Sequence, residues 1–216
     1  MIYFPELLFV TNGFNQELVL AVEVEDISAS TGRQIAYSSL NIRIEDVNDH
    51  SPKFKQKSYK GAVTENGANG ANILKVVAKD ADANRSIYYK AEGMEDVIKL
   101  IKIDKTSGQI MVGGKIDREQ LGWLNFTVRA TDSGVPALWS YADVSIQVLD
   151  ENDHSPVFRD YHSNISVSED APAGQTIIKI TATDEDEGEY GRVTYFLDNR
   201  SGSTKFQINP ETGKVT

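Results

Sequence analysis

The groups in this sequence best suited to chemistry are carboxylates, and they recur in fixed arrangements. Asp46-Val47-Asn48-Asp49-His50-Ser51-Pro52 returns as Asp150-Glu151-Asn152-Asp153-His154-Ser155-Pro156. The pair Asp80 and Asp82 returns as Asp184 and Asp186, each after an Ala-x step, and Val63-Thr64-Glu65 returns as Val167-Ser168-Glu169. Asp117-Arg118-Glu119 adds two acids, and Asp26 and Asp132 follow strand-like runs in Val-Glu-Asp and Ala-Thr-Asp. Gathered together, such groups offer hard oxygen donors. Calcium takes six to eight of these, from carboxylates, Asn amides and main-chain carbonyls, in flexible geometry. The rest of the composition opposes other chemistries. Cysteine is absent and there are three His residues, which removes disulfides and Cys nucleophiles and leaves little for zinc or copper. Twenty-two Lys and Arg against 32 Asp and Glu give a net charge of −10, which argues against a nucleic-acid partner. No apolar run approaches the roughly 18 residues of a membrane-spanning helix. Residues 1–20 lack the basic start and apolar core of a signal peptide.

The elements that must position these acids are set by the repeat. Asp46 and Asp150, Glu65 and Glu169, and Asp80 and Asp184 are all separated by 104 residues. Asp104-Lys105-Thr106-Ser107-Gly108 resembles Asn209-Pro210-Glu211-Thr212-Gly213, one residue longer in spacing. That period suits an array of domains rather than a solenoid, whose units run about 20–50 residues. The phase divides the chain into 1–51, the second half of a unit; 52–155, a complete unit; and 156–216, the first half of another. The expectation is a piece of a longer array, with Met1 a cloning residue.

Within the unit the pattern is β. Leu124, Phe126, Val128 and Ala130 alternate with polar residues, as do Ala142, Val144, Ile146 and Val148. Leu18, Leu20, Val22 and Val24 do the same in the first half-unit, and Ile178, Ile180 and Ala182 in the last. Period-two alternation reads as strands with one buried face, separated by turns such as Ser133-Gly134-Val135-Pro136. About seven strands in about 100 residues predict an all-β sandwich. Met94–Ile103 reads as a short helical turn entering a strand. In a sandwich, alternate inter-strand loops gather at one end, so acids in the boundary loops converge where successive units meet. Two carboxylates about 5 Å apart repel by roughly 3 kcal/mol at an effective dielectric near 20, and a divalent cation resolves that conflict.

Taken together, the D-x-N-D-x-x-P linkers, the D-R-E triplet, the D-x-D pairs, the A-x-D element at Ala130–Asp132 and the unit-opening Glu65 and Glu169 resemble the cadherin superfamily, a protocadherin or a Fat/Dachsous-like member among its branches. The resemblance spans essentially the whole chain. It implies tandem seven-stranded Greek-key β-sandwich repeats, immunoglobulin-like in architecture, with three Ca2+ ions at each junction stiffening the array for adhesion.

Carried over residue by residue, the resemblance gives two junctions. At the second, Glu65, Asp117 and Glu119 come from the complete unit. Asp150, Asn152 and Asp153 come from the linker with the Glu151 and His154 carbonyls, and Asp184 and Asp186 from the last unit with the Tyr190 carbonyl. At the first, the linker supplies Asp46, Asn48 and Asp49 with the Val47 and His50 carbonyls. Asp80, Asp82, Asp132 and the Asn84 carbonyl complete it. Asp26 and Glu169 belong to neighbouring junctions. The first half-unit departs from the pattern: no D-R-E is visible, Thr11-Asn12-Gly13 falls near its place with Glu17 as candidate stand-in, and the first junction is expected to hold fewer ions.

The leading functional reading is a non-enzymatic, calcium-dependent cell–cell adhesion ectodomain. The parent would be extracellular and anchored at the plasma membrane, with a homophilic or heterophilic cadherin on an apposed cell as partner. The alternative is a rigid spacer or receptor ectodomain with the adhesive face in other repeats. A glycosidase using paired acids such as Asp117 and Glu119 is disfavoured because the acids are periodic. His50 and His154 are expected to contribute carbonyls while their rings face water, and Trp123 and Trp139 to pack in loops or core. Asn84, Asn125, Asn164 and Asn199 stand in N-x-S/T sequons. Asn125 and Asn164 read as outward strand positions and Asn199 as a loop site, whereas Asn84 lies inside the presumed calcium loop and is not counted as a glycan site.

Overall fold

A computed structural model describes residues 16–25, 35–82, 86–159, 162, 164–198 and 205–216. Asp26, Asn84 and Asn199, and the Thr11–Gly13 segment, lie outside the described residues. The first segment is a two-stranded antiparallel pair, β1 (Gln16–Glu25) and β2 (Ile35–Ile44), with Leu20 opposite Leu40. Every residue of β2 is exposed.

The complete unit carries β3 (Lys53–Phe54), β4 (Ser58–Thr64), β5 (Asn72–Lys75), β6 (Ala78–Lys79) and β7 (Tyr88–Glu92). It continues with α1 (Glu95–Ile98), β8 (Ile101–Ile103), β9 (Gln109–Val112), β10 (Trp123–Thr131) and β11 (Trp139–Leu149). One sheet runs β4-β11-β10-β7, with β4 parallel to β11 and the other pairs antiparallel. The facing sheet runs β5-β9-β8, and β3 pairs with β6, which continues the line of β5. The nine pieces thus make seven strands, because β3–β4 and β5–β6 are each one strand interrupted between pairings. The alternation in β10 and β11 is the cause of the sandwich. Leu124, Phe126, Val128 and Ala130 meet Ala142, Val144, Ile146 and Val148 on the buried face, against Val76, Ile110 and Val112 of the opposite sheet region. All buried hydrophobic residues among those described fall between Tyr59 and Val148. The expected helical turn is α1. Its Val97 is buried, and the chain runs on into β8.

The last segment repeats the first strands of that unit. β12 (Val157–Arg159) pairs with β14 (Thr181–Thr183), placing Val157 opposite Thr183 just as Lys53 faces Lys79, 104 residues earlier. β13 (Ile178–Lys179) pairs with β15 (Lys214–Val215). Smaller fittings recur as well. Tyr89 Oη accepts the Ala78 N–H at 2.9 Å and Tyr195 Oη accepts the Ala182 N–H at 2.8 Å, in step with the loop after Asp186 being two residues longer. Asp104 Oδ1 accepts the Thr106 and Ser107 N–H groups, and Asn209 Oδ1 accepts those of Glu211 and Thr212. Both turns close on a glycine of positive φ, Gly108 and Gly213. A Cβ on either would collide with a main-chain carbonyl of the preceding strand, Val76 or Ile180.

One expectation fails. Asn164 is exposed but stands outside any strand. Its equivalent 104 residues earlier, Lys60, lies on β4, which pairs with β11. The two tryptophans also depart from the loop-or-core reading. Trp123 and Trp139 sit on strands β10 and β11 with outward side chains, 50% and 56% exposed.

Candidate metal centre

The second junction is built from four stretches of chain. Glu65 follows β4 directly, only 1% exposed, and its carboxylate ties two loops together. Oε2 accepts the Arg118 N–H at 2.9 Å and Oε1 the Glu151 N–H at 2.8 Å. The D-R-E triplet follows buried Ile116, and Asp117 accepts both the main-chain and the side-chain N–H of Gln120. From the linker, Asp150 Oδ2 accepts the Glu187 N–H at 2.8 Å, and Asp153 Oδ2 accepts from Asn66 Nδ2 at 2.7 Å. From the last unit, Asp184 Oδ1 caps the Asp186 N–H at 3.1 Å, and Asp186 accepts the His154 N–H at 3.3 Å.

Three groups of potential ligand atoms lie here, each within 4.8 Å of one another: Glu65, Asp117 and Glu119; Glu119, Asp150 and Asp186; and Glu119, Asp153 and His154. Glu119 is common to all three. Both of its oxygens are buried and accept no hydrogen bond, although Arg118 lies against Oε1 as a charge partner. Burial, with the neighbouring Glu65 charge adding to it, holds the Glu119 carboxyl above its usual range despite its own main-chain N–H and Arg118. Asn152 and Tyr190 are exposed.

The first junction repeats half of this. Asp82 is 3% exposed and accepts the His50 N–H at 2.9 Å, and Asp80 Oδ1 caps the Asp82 N–H at 2.9 Å. Asp49, His50 and Asp82 form one group within 4.8 Å. Asn48 Nδ2 donates to Asp132 Oδ2 at 3.2 Å and to the Pro136 carbonyl at 2.7 Å, while buried Asp132 also accepts the Gly134 and Leu138 N–H groups. A Cβ on Gly134 would overlap the Asn48 amide, so the bare glycine leaves room for Asn48 in this position. In both linkers the second Asp N–H closes on the carbonyl two residues back, Asp49 on Val47 and Asp153 on Glu151. A carbonyl's second lone pair stays available for a cation. Asp46 and Glu169 are exposed and outside the ligand-distance groups.

The donor set fits calcium. Among the described residues, five buried side-chain polar atoms lack a hydrogen-bond partner, and four are oxygens of Asn48, Asp80 and Glu119. Buried acceptors left without donors are expensive, and they concentrate where a cation would satisfy them. Reading the sequence missed three contributors. Arg118, the centre of the acidic triplet, pairs with Glu119, Asp150 and Glu187 and donates to the Glu185 carbonyl. A lone cation inside an acidic motif was its signal. Asn66, at φ 54°, steadies Asp153, and Gly134 admits Asn48. The histidine side chains keep part of their surface in water, 55% for His50 and 36% for His154, and each ring also meets carboxylates. His50 Nδ1 lies 2.7 Å from Asp82 Oδ1 and 2.6 Å from Asp49 Oδ1, and His154 Nδ1 lies 2.8 Å from Asp153 and 3.1 Å from Asp186. The Asp82 hydrogen bond and the Asp49 charge raise His50 above its usual range. For His154, burial pulls down, but Asp153 and Asp186 outweigh it and the net shift is upward.

A family model described as Cadherin domain matches residues 59–149 and 163–216. The chain belongs to the cadherin family. Human protocadherin gamma-B4 is 32% identical over 201 residues, covering 91% of this chain and 22% of that protein. Human cadherin-23 is 31% identical over 220 residues, 96% of this chain and 6% of its own length, and the Fat-like cadherin-related tumor suppressor homolog of Drosophila melanogaster is 33% identical over 199 residues, 91% of this chain and 4% of its own. The cadherin chain thus spans 22% or less of the length of these relatives. Among solved structures, mouse cadherin-23 EC22-24 matches with a TM-score of 0.82 at 33% identity, covering 93% of this chain and 63% of that one. The protocadherin gamma-B4 extracellular domain gives 0.71 at 27%, covering 92% and 34%. These cadherin ectodomain likenesses establish the β-sandwich fold and place the chain among adhesion-type proteins rather than enzymes.

Proposed function

We propose that this chain is a segment of a calcium-dependent adhesive ectodomain, with a complete repeat at 52–155 between a C-terminal half-repeat at 1–51 and an N-terminal half-repeat at 156–216. Calcium at the two junctions fixes each repeat to the next. The observation that carries this reading is Glu119, a carboxylate with both oxygens buried and without hydrogen bonds, shared by ligand groups drawn from the repeat, the linker and the following repeat. Ca2+ would supply the charge that lets those acids stay close. Glu65, Asp117 and Glu119 would hold it from one side, Asp150, Asn152 and Asp153 from the linker, and Asp184 and Asp186 from the other.

The chain's own residues prepare the site. Glu65 pins the D-R-E loop to the linker through two main-chain N–H groups, and Asp186 pins the linker to the next repeat through His154. The first junction would draw on Asp46, Asn48, Asp49, Asp80, Asp82 and Asp132, with fewer acids. The parent is then an extracellular, membrane-anchored protein, and its partner another cadherin on an apposed cell. Melting curves and X-ray scattering in millimolar calcium and in chelator test the proposal. Calcium is expected to raise the melting temperature and lengthen the particle, and identical curves and profiles would overturn it.

A further inference from the structure

The outer face of β10 carries two features that the junctions do not use. Leu124, Phe126 and Val128 point inward, so Trp123, Asn125 and Thr127 stand in a row on the opposite face. β10 pairs with β11 along this whole row, and β7 joins its other side from Thr127 onward. Trp123 leaves half of its surface in water, and among the described residues it makes no ring or cation contact. Asn125-Phe126-Thr127 is a complete N-x-S/T acceptor on the same row. Asn125 is exposed, and its amide is oriented: Ser145 Oγ, directly across the ladder, donates to Asn125 Oδ1 at 2.7 Å. Among the described residues the amide nitrogen has no hydrogen-bond partner, and it is open to modification.

We propose that Asn125 carries an N-linked glycan whose first sugar stacks on the Trp123 indole. Residues two apart on a strand lie roughly 7 Å apart along one face, so a sugar bonded to Asn125 Nδ2 and leaning along the strand covers the indole. The C–H face of an N-acetylhexosamine is apolar, and an indole offers a large flat surface for it. In the transfer, a lipid-linked glycosyl diphosphate is the donor. The bond from Asn125 Nδ2 to the sugar's anomeric carbon forms, and the bond from that carbon to the diphosphate oxygen breaks. Its electron pair leaves with the diphosphate, and the amide proton passes to it. Asn164 offers a contrast within the chain. It is exposed but outside any strand, and the residue two before it is His162, so its glycan would find no indole beside it. A glycan at Asn125 also screens the Trp123 end of the β4-β11-β10-β7 sheet, which directs cadherin-type contacts to other surfaces.

The proposal depends on the extracellular reading only in that the donor is met in the secretory pathway. The test secretes this chain from mammalian cells behind a heterologous leader and maps glycosylated asparagines by mass spectrometry after enzymatic deglycosylation in heavy-oxygen water. Asn125 is expected to be occupied in most molecules, and Asn125→Gln to remove that signal alone. A bare Asn125 in the secreted protein overturns the site. Removing the glycan is expected to lower the melting temperature of the wild type by several degrees and to shift its tryptophan emission, with both effects much reduced in Trp123→Ser. Equal losses with and without Trp123 overturn the stacking. Melting the same samples with and without calcium reads the junctions separately, so failure of the calcium reading and failure of this one are distinguishable.

Discussion

Replacing Glu119 with Gln should change the sign of its effect when calcium is added. Glu119 lies within ligand distance, 4.8 Å, of Glu65, Asp117, Asp150 and Asp186. At that outer limit each carboxylate pair would repel by about 3.5 kcal/mol at an effective dielectric near 20, and Arg118, lying against Oε1, offsets part of the total. The gross cost of the Glu119 charge is therefore several kcal/mol. Salt screening over about 8 Å and side-chain relaxation reduce it, and we expect Glu119→Gln to gain about 1–2 kcal/mol in chelator, roughly 4–8 °C per kcal/mol for a repeat of this size. In calcium the order reverses. A ligand at 100 times its dissociation constant stabilises by about 2.7 kcal/mol, and Gln, neutral in the position shared by three ligand groups, should forfeit most of that increment. Thermal melts of both proteins in chelator and in millimolar calcium, with calorimetric titration of calcium, measure the four quantities. A Glu119→Gln protein that melts lower than wild type in chelator, or that keeps the full calcium increment, would refute the reasoning.

Three further outcomes follow from the same structure. Ile110→Ala removes a side chain with no exposed surface and should cost about 2–5 kcal/mol by equilibrium denaturation, equally in calcium and chelator, because its packing is independent of the junctions. A loss confined to one condition would contradict that separation. Gly134→Ala places a methyl group inside the Asn48 amide and should displace the first linker. Protease cleavage between residues 46 and 52 should rise while calcium binding at the second junction is unchanged, and an unaltered cleavage rate would show that Asn48 is not held there. The Ser107 and Thr106 donors hold the Asp104 carboxyl down at about 2, below its usual 3.8. A carboxyl whose folded pKa is depressed stabilises above its unfolded pKa, so its share should be lost as pH falls from about 4 to about 2. NMR titration of the Asp104 carboxyl should show a midpoint near 2, and Asp104→Asn should fold, as Asn209 does at the equivalent turn, with a flatter response in that window. A midpoint near 3.8 would remove the effect.

The period of 104 residues was legible in the sequence, and the hydrogen bonds keep it. His50 on Asp82 and His154 on Asp186, and Asp82 on Asp80 and Asp186 on Asp184, fall in register, and the capped turns at Asp104 and Asn209 recur one residue later. These are local devices, closed within a few residues or fixed by a linker of set length, and type and spacing suffice to read them. The buried faces of β10 and β11 were legible for the same reason, since alternation is a property of consecutive residues.

Less legible was anything that depended on what lies across a gap in sequence. Asn164 reads as a strand residue, yet it joins no ladder. Trp123 and Trp139 read as packed, yet the outward phase of their strands leaves both in water. The histidine rings turn onto carboxylates because burial of Asp82 and Asp186 makes every nearby donor valuable. Arg118 enters the acid cluster for the same electrostatic reason. The sequence by itself determined the family pattern, the strand faces and the set of acids. The tertiary structure decided which acids meet, because closure of the two sheets sets Glu119 between the repeat, the linker and the next repeat. There burial and like charge combine to leave both Glu119 oxygens calling for a cation.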